Sequence, residues 1–192
     1  MRQRADATWV FGYGSLVAPT SVARTIGRVI DHPDERAVTH LHGFGRRWNY
    51  GSQRLRGNWT VGGREVRDGV VVSLGLEPSP AETCNGVAFC VGDAELDALD
   101  ARESDYELTD VTEVAVVDGA PIAGRVVTFV PRPSSIERYR RARDAGRAAI
   151  RAEYVTLVQQ SFDALGDDHR RLYDRTPAPD VPVADIDLIW PT

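Results

Sequence analysis

The sequence predicts an α+β fold. Strand-like apolar runs occupy residues 8–130, a helical apolar period fills the stretch that follows, and only two short helices interrupt the strands. A repeating βαβ unit would alternate the two patterns instead. With 192 residues and 42% hydrophobic content, one domain with a real core is expected.

The elements follow in order. Residues 8–12 read as a strand running into Gly12-Tyr13-Gly14-Ser15. Pro19 and Thr20 open a short helix carrying Val22, Ala23 and Ile26. Residues 37–50 hold strand-like apolar and aromatic positions broken by Gly43 and Gly45, and the polar, Gly-rich residues 51–65 read as a long loop. Two more strands, at 70–76 and 87–91, flank Pro78 and Pro80. Asp93 suits the N-cap of a helix over DAELDALDAR. Strands at 107–117 and 124–130 are separated by the turn Asp118-Gly119. From Ser134 to Leu165 the pattern is helical, with Ile150, Tyr154, Val158, Phe162 and Leu165 on one face and Gly146 as a point of kinking. The Pro-rich end reads as an extended segment packed by Val183, Ile186, Leu188 and Trp190.

Composition excludes several chemistries. All 23 basic residues are Arg, so a P-loop lysine, a pyridoxal-phosphate Schiff base and a lysine nucleophile are absent. The net charge of −5 points to neither nucleic acid nor an anionic membrane surface. Cys84 and Cys90 sit six residues apart on one strand, too far to bridge, and read as free thiols. Arg2 and Arg4 lack the apolar stretch of a secretory leader behind them, and no run is long enough to span a bilayer, so a cytoplasmic protein is expected.

The glycine loop does not fit two familiar patterns. As G-x-G-x-x-G it has Val17 in place of the third glycine, with Pro19 close behind. As a hydrolase elbow around Ser15 it has Tyr13 and Val17 where glycines belong, and His32, His40, His42 and His169 lie in no triad context. Two readings stay open: a plain tight turn, or an anion-binding nest in which Gly12 and Gly14 adopt positive φ and align successive amides.

Leu96, Leu99 and Glu103 share one helix face, at i, i+3 and i+7. Leucines facing the core would carry Glu103 inward, near the negative end of the helix, where burial and the macrodipole both disfavour its charge. A raised pKa suits a general base working near neutrality. The alternative is a helix that ends earlier, leaving Glu103 in water or paired with Arg102.

The strand followed by Tyr13-Gly14-Ser15-Leu16, and then by Leu99-Asp100-x-x-Glu103 and Tyr106, resembles the γ-glutamylcyclotransferase-like superfamily, which includes the glutathione-specific ChaC type and the AIG2-like proteins. Gly43-Phe44-Gly45-Arg46-Arg47-Trp48 resembles its basic-aromatic stretch. The segment Glu103-Ser-Asp-Tyr106 lacks the glycines of the ChaC-like stretch. The resemblance implies a small mixed β-barrel core over residues 8–130, flanked by helices. Residues 134–192 then form a helical and Pro-rich extension packed on it, within a single domain over 1–192. It implies a substrate site lined by Tyr13, Gly14, Ser15, Leu16 and Tyr106, with Glu103 as the catalytic acid/base. The reaction it implies closes a γ-glutamyl group to 5-oxoproline and expels an amine, with no metal or cofactor. The expected partner is a small γ-glutamyl substrate. A binding module that senses such a metabolite without turnover is the alternative.

Other features read as structural. Arg46, Arg47, Trp48, Asn49 and Tyr50 are candidates for one pocket wall, with Arg47 read as an exposed strand charge. His40 and His42 lack a third metal ligand. The basic run 137–147 reads as a solvated helix face held by the pairs Glu137–Arg141 and Arg140–Asp144.

Overall fold

The computed structural model describes residues 7–189. Strand β1 (Thr8–Gly12) leads through a 3-10 turn at Ser15–Val17 into helix α1 (Pro19–Ile26), with Pro19 in its first turn and Gly27 at φ 79° closing it. Strands β2 (Arg36–Val61) and β3 (Arg64–Val91) form one long hairpin, bent by register shifts near His42, Arg47, Gly51 and Gly57. Its turn is Gly62-Gly63, at φ 58° and 77°, the left-handed geometry a two-residue hairpin needs. The expected loop at 51–65 is therefore mostly strand. Trp59 and Val66, cross-strand partners there, are buried with Ala149 and Ala184 in a small second core. Alternating Trp59 and Val61 before a Gly-Gly pair is a hairpin signature that polar composition conceals.

Helix α2 (Asp93–Arg102) is capped at Gly92, one residue before the expected Asp93, and the Glu95 carboxylate accepts the Gly92 N–H at 2.9 Å. The expected strand over 107–117 divides into β4 (Tyr106–Asp110), a 3-10 turn at Thr112–Val114 and β5 (Ala115–Val117). Asp118-Gly119 turns β5 into the short β6 (Ala120–Pro121), and β7 (Arg125–Pro131) follows. The long helix expected over 134–165 is two helices, α3 (Pro133–Asp144) and α4 (Ala152–Asp163), around strand β8 (Ala148–Arg151). Gly146, at φ 64°, stops α3 rather than kinking it, and Ile150 pairs with Val72 instead of continuing the helical face. Helix α5 (Asp167–Tyr173), not expected from the pattern, precedes β9 (Val183–Ala184) and β10 (Asp187–Ile189). At this end Val181, Ala184 and Ile186 turn inward, whereas Val183 is exposed. Trp190 lies outside the described residues.

The strands join in one mixed sheet of order β4-β7-β1-β3-β2-β5-β6, with β10 on β2 and with β8 and β9 continuing from β3. The β1–β7, β3–β8 and β8–β9 pairs are parallel and the rest antiparallel. The sheet curls into a half-barrel whose core includes the fully buried Trp9, Phe11, Phe89, Leu99, Phe129 and Phe162. Phe162 and Val158 of α4 and Tyr173 of α5 belong to that same core.

Candidate active site

The loop after β1 owes its glycines to space. A Cβ on Gly12 would lie 2.7 Å from the Leu16 Cβ, and one on Gly14 would lie 2.8 Å from the Tyr154 hydroxyl oxygen. Neither glycine has positive φ, and Gly14 sits at φ −126°, ψ −126°. Of the two open readings the tight turn therefore holds, and the nest of left-handed glycines is not formed. Instead the 3-10 turn uses the Val17 and Ala18 amides on the Gly14 and Ser15 carbonyls. Tyr13 is buried, and its hydroxyl donates to the Phe129 carbonyl at 2.6 Å, tying the loop to β7.

Glu103 follows the last residue of α2, its N–H donating to the Leu99 carbonyl at 2.9 Å. Leu99 is fully buried and turns this side of the helix end inward. The Glu103 side chain is 16% exposed, and its Oε1 lies 3.0 Å from the Arg102 Nε. Both open readings therefore hold in part: the helix ends at Arg102 and the ion pair forms, yet the carboxylate stays sheltered. Burial raises its pKa above the ordinary glutamate value, and the Arg102 charge opposes that rise.

The two segments meet. Tyr13, Gly14, Ser15, Leu16, Glu103 and Tyr106 line one narrow niche of about 30 Å³, together with Leu74, Phe129 and Tyr154. That is room for one or two water-sized groups. Ser15, Glu103, Tyr106 and Tyr154 also line an outer chamber of about 430 Å³, which Tyr50, Ser52, Arg54, Leu55, Ser73, Arg102, Ser104 and Asp105 complete. All six residues singled out in the sequence thus line the niche, and Ser15, Glu103 and Tyr106 face the chamber as well.

The model of the ChaC-like proteins matches residues 8–156. The chain belongs to the ChaC-like family. Solved structures share its fold at low identity. One described as gamma-glutamyl cyclotransferase is 15% identical with TM-score 0.55, over 91% of this chain and 90% of that one. The human protein loc79017 is also 15% identical, with TM-score 0.56 over the same shares. A yeast cyclotransferase described as specific to glutathione is 14% identical with TM-score 0.53, over 88% of this chain and 95% of that one. No curated protein matches the sequence.

Sequence reasoning missed the niche residues Tyr154, Leu74 and Phe129 of this ChaC-like cavity and, among others of the chamber, Arg102. Tyr154 reads as part of an apolar helix face, but its hydroxyl accepts the Leu74 N–H at 3.4 Å and stands beside the Ser15 amide. Among the described residues no acceptor takes its proton. Burial first, and the Glu103 charge among other causes, push its pKa up, so it is a neutral donor at pH 7. A tyrosine among aliphatic residues on a buried helix face was the available signal. Leu74 and Phe129 gave none, being ordinary strand residues. Arg102 is the fourth. It donates to the Ser21 carbonyl and hydroxyl, the Thr25 hydroxyl and the Ser15 hydroxyl at 2.8–3.2 Å, joining α1, α2 and the loop.

Tyr106 donates to the Leu74 carbonyl at 3.0 Å and stacks on Tyr50, with ring centroids 4.2 Å apart. Asp105 is pinned by the Gln53 amide at 2.9 Å and by Arg138 at 3.4 Å. Asp100, off the leucine stripe, is exposed.

Of the wall candidates Arg46, Arg47, Trp48, Asn49 and Tyr50, only Tyr50 reaches the cavity lining. Arg46 is buried away from it, bonded to Asn85 and Thr176 and lying 4.6 Å from the Phe162 ring centre. Arg47 pairs with Glu77 and Glu82. Trp48 packs edge-on against Tyr154. The His40 ring lies 5.9 Å from that of His169, and His42 meets the Thr83 hydroxyl. Among the described residues no three His, Cys, Asp or Glu side chains gather as metal ligands. Glu137–Arg141 forms as expected, whereas Asp144 pairs with Arg143. Cys84 and Cys90 are not joined in a disulfide. Among the described residues no helix is long and apolar enough to cross a membrane.

Proposed function

We propose that the chain is a γ-glutamylcyclotransferase that releases 5-oxoproline from a γ-glutamyl amide or peptide. One observation carries this reading: a sheltered carboxylate, Glu103, shares a cavity with the Tyr13–Leu16 loop, and its pKa is raised by burial. Family membership and the described activities of the fold's solved relatives agree with it.

In this reaction the substrate's α-amine attacks its own γ-carbonyl. A C–N bond forms to close the five-membered ring, and the original amide C–N bond breaks. Because nucleophile and electrophile are tethered, the protein's main task is to fold the substrate into a near-attack shape. Well-oriented intramolecular reactions reach effective molarities of about 10⁵–10⁸ M. Glu103 takes a proton from the α-ammonium and returns one to the departing nitrogen, a contribution of about 10²–10⁴-fold. The Tyr154 hydroxyl supplies a donor for a substrate carboxylate or for the oxygen that gains charge during attack. Tyr13 and Tyr106, both donating to main-chain carbonyls, act as walls.

The test is incubation with glutathione, γ-glutamyl dipeptides and γ-glutamyl amines, with mass detection of 5-oxoproline. Product with the native chain and its near-loss in Glu103→Gln is the expected result. Ligand-induced thermal stabilisation with no product from any of them would support a sensing module instead.

A further inference from the structure

The outer chamber has one basic side chain with no structural employment. Arg102 is committed to Ser15, Ser21, Thr25 and Glu103. Arg138, just behind the chamber, holds Asp105, the Gly51 carbonyl and Gln53. Arg54 lines the chamber and, among the described residues, has neither a hydrogen-bond nor an ion-pair partner.

Its position is constructed. Between the pairs Gly51–Val72 and Arg56–Val70, four residues of β2 face one of β3, so residues 52–55 bulge out of the ladder. Bulges re-aim side chains beside active sites. This one is braced: the Leu55 amide donates to the Ser52 hydroxyl at 2.8 Å, and the Gln53 amide to Asp105 at 2.9 Å. Arg138 grips the Gly51 carbonyl at 2.6 Å from the far side. The brace presents Ser52, Arg54 and Leu55 to the chamber on the side away from the niche. The two carboxylates that line the chamber, Glu103 and Asp105, already have arginine partners, so neither neutralises Arg54.

We propose that Arg54 selects the leaving group by binding a carboxylate on it, so that the preferred substrates are γ-glutamyl amino acids and peptides rather than γ-glutamyl derivatives of uncharged amines. This rests on the cyclotransferase reading above. With the γ-glutamyl part held at the niche beside Glu103, the departing amine extends into the chamber, and its carboxylate lies toward the unpaired guanidinium. Leu55 and the Tyr50 ring offer apolar surface to the side chain between the two. A guanidinium suits this role because its fork matches a carboxylate.

The experiment compares kcat/KM for γ-glutamylglycine with that for γ-glutamyl methylamide, read as 5-oxoproline formed, in the native chain, Arg54→Gln and Arg54→Lys. The native chain is expected to favour the acid. Arg54→Gln should lower the acid-to-amide ratio about fivefold, the size of an ion pair at an exposed site, chiefly through KM. Arg54→Lys, which keeps the charge, should hold most of the preference. Product from both compounds with the same ratio in Arg54→Gln would overturn the assignment while leaving the cyclotransferase reading intact. No product from either compound in the native chain would overturn this inference, and the cyclotransferase reading with it where glutathione and the other γ-glutamyl compounds also yield none.

Discussion

Glu103 is costly to the fold for the same reason that suits it to the proposed chemistry. Its charge sits behind the C-terminal end of α2 and out of bulk water, with Arg102 as partial compensation. A folded-state pKa above the unfolded value means that the folded chain binds the proton more tightly. Stability is therefore lost as pH rises from the unfolded pKa through the folded one, and the penalty is complete only above the folded pKa. Glu103→Gln, uncharged at every pH, should melt at a higher temperature than the native chain at pH 7–8. Differential scanning fluorimetry across pH should show that advantage shrinking toward pH 4. The same variant should lose about 10²–10⁴-fold in turnover. In the native chain, kcat/KM should fall on the acid side with an apparent pKa above that of an ordinary glutamate. The glycine loop offers a second residue-level contrast. Gly14→Val drives a branched side chain at the Tyr154 hydroxyl, 2.8 Å from where its Cβ would stand, whereas Ser15→Ala removes only one acceptor for Arg102. Steady-state kinetics should show the first substitution costing far more activity than the second.

At the scale of elements, the site depends on how α2 is seated. Its first turn is held by Glu95, bonded to Gly92 and to Arg28, and its last residue, Arg102, is bonded into α1 and the loop. Helix, loop and carboxylate are thereby fixed relative to one another, with Arg102 bonded to Ser15 and Glu103 of the niche lining. Arg102→Met retains most of the bulk but removes the cation. Loss of these partly buried hydrogen bonds should cost about 1–3 kcal/mol in urea unfolding. The positive charge is also what opposes the rise of the Glu103 pKa. The acid limb of the pH–rate profile should therefore move to higher pH in this variant, an effect that mere loosening of the helix would not produce.

For the whole molecule, the relevant fact is that one core spans both ends of the chain. Phe162 of α4 is fully buried with Phe11 and Phe89 of the sheet, stacks on Tyr173 at 4.7 Å and covers Arg46. Tyr154, on the same helix, lines the niche. The segment after residue 133 thus contributes to the cavity as well as to the core. Phe162→Ala should cost about 3–5 kcal/mol, lowering the melting temperature on the order of 10 °C. Because the helix also carries Tyr154, activity should decline well below the melting point of the variant. Thermal melts paired with residual-activity curves check both.

Much of this was legible along the chain. The first strand, the Pro19 helix, the DAELDALDAR helix and the Asp118-Gly119 turn all follow from local periodicity and turn chemistry, which tertiary packing did not override. The leucine spacing gave an inward Glu103 as one of two open readings, both of which hold in part, and the six residues marked from the sequence line one niche. What the chain did not disclose is non-local. Residues 51–65 look like loop until their partner strand buries Trp59 and Val66, and Ile150 looks helical until β3 offers Val72 a parallel neighbour. The role of Tyr154 depends on a hydrogen bond to Leu74, eighty positions away, and the exposure of Arg54 to the chamber depends on a bulge visible only once two strands are registered. Local sequence determined which segments become helix, turn or strand wherever period and capping agree, because those preferences act within a few residues. The curled sheet decided which hydroxyls, amides and charges share a space, because that is set by pairing between segments far apart in the chain.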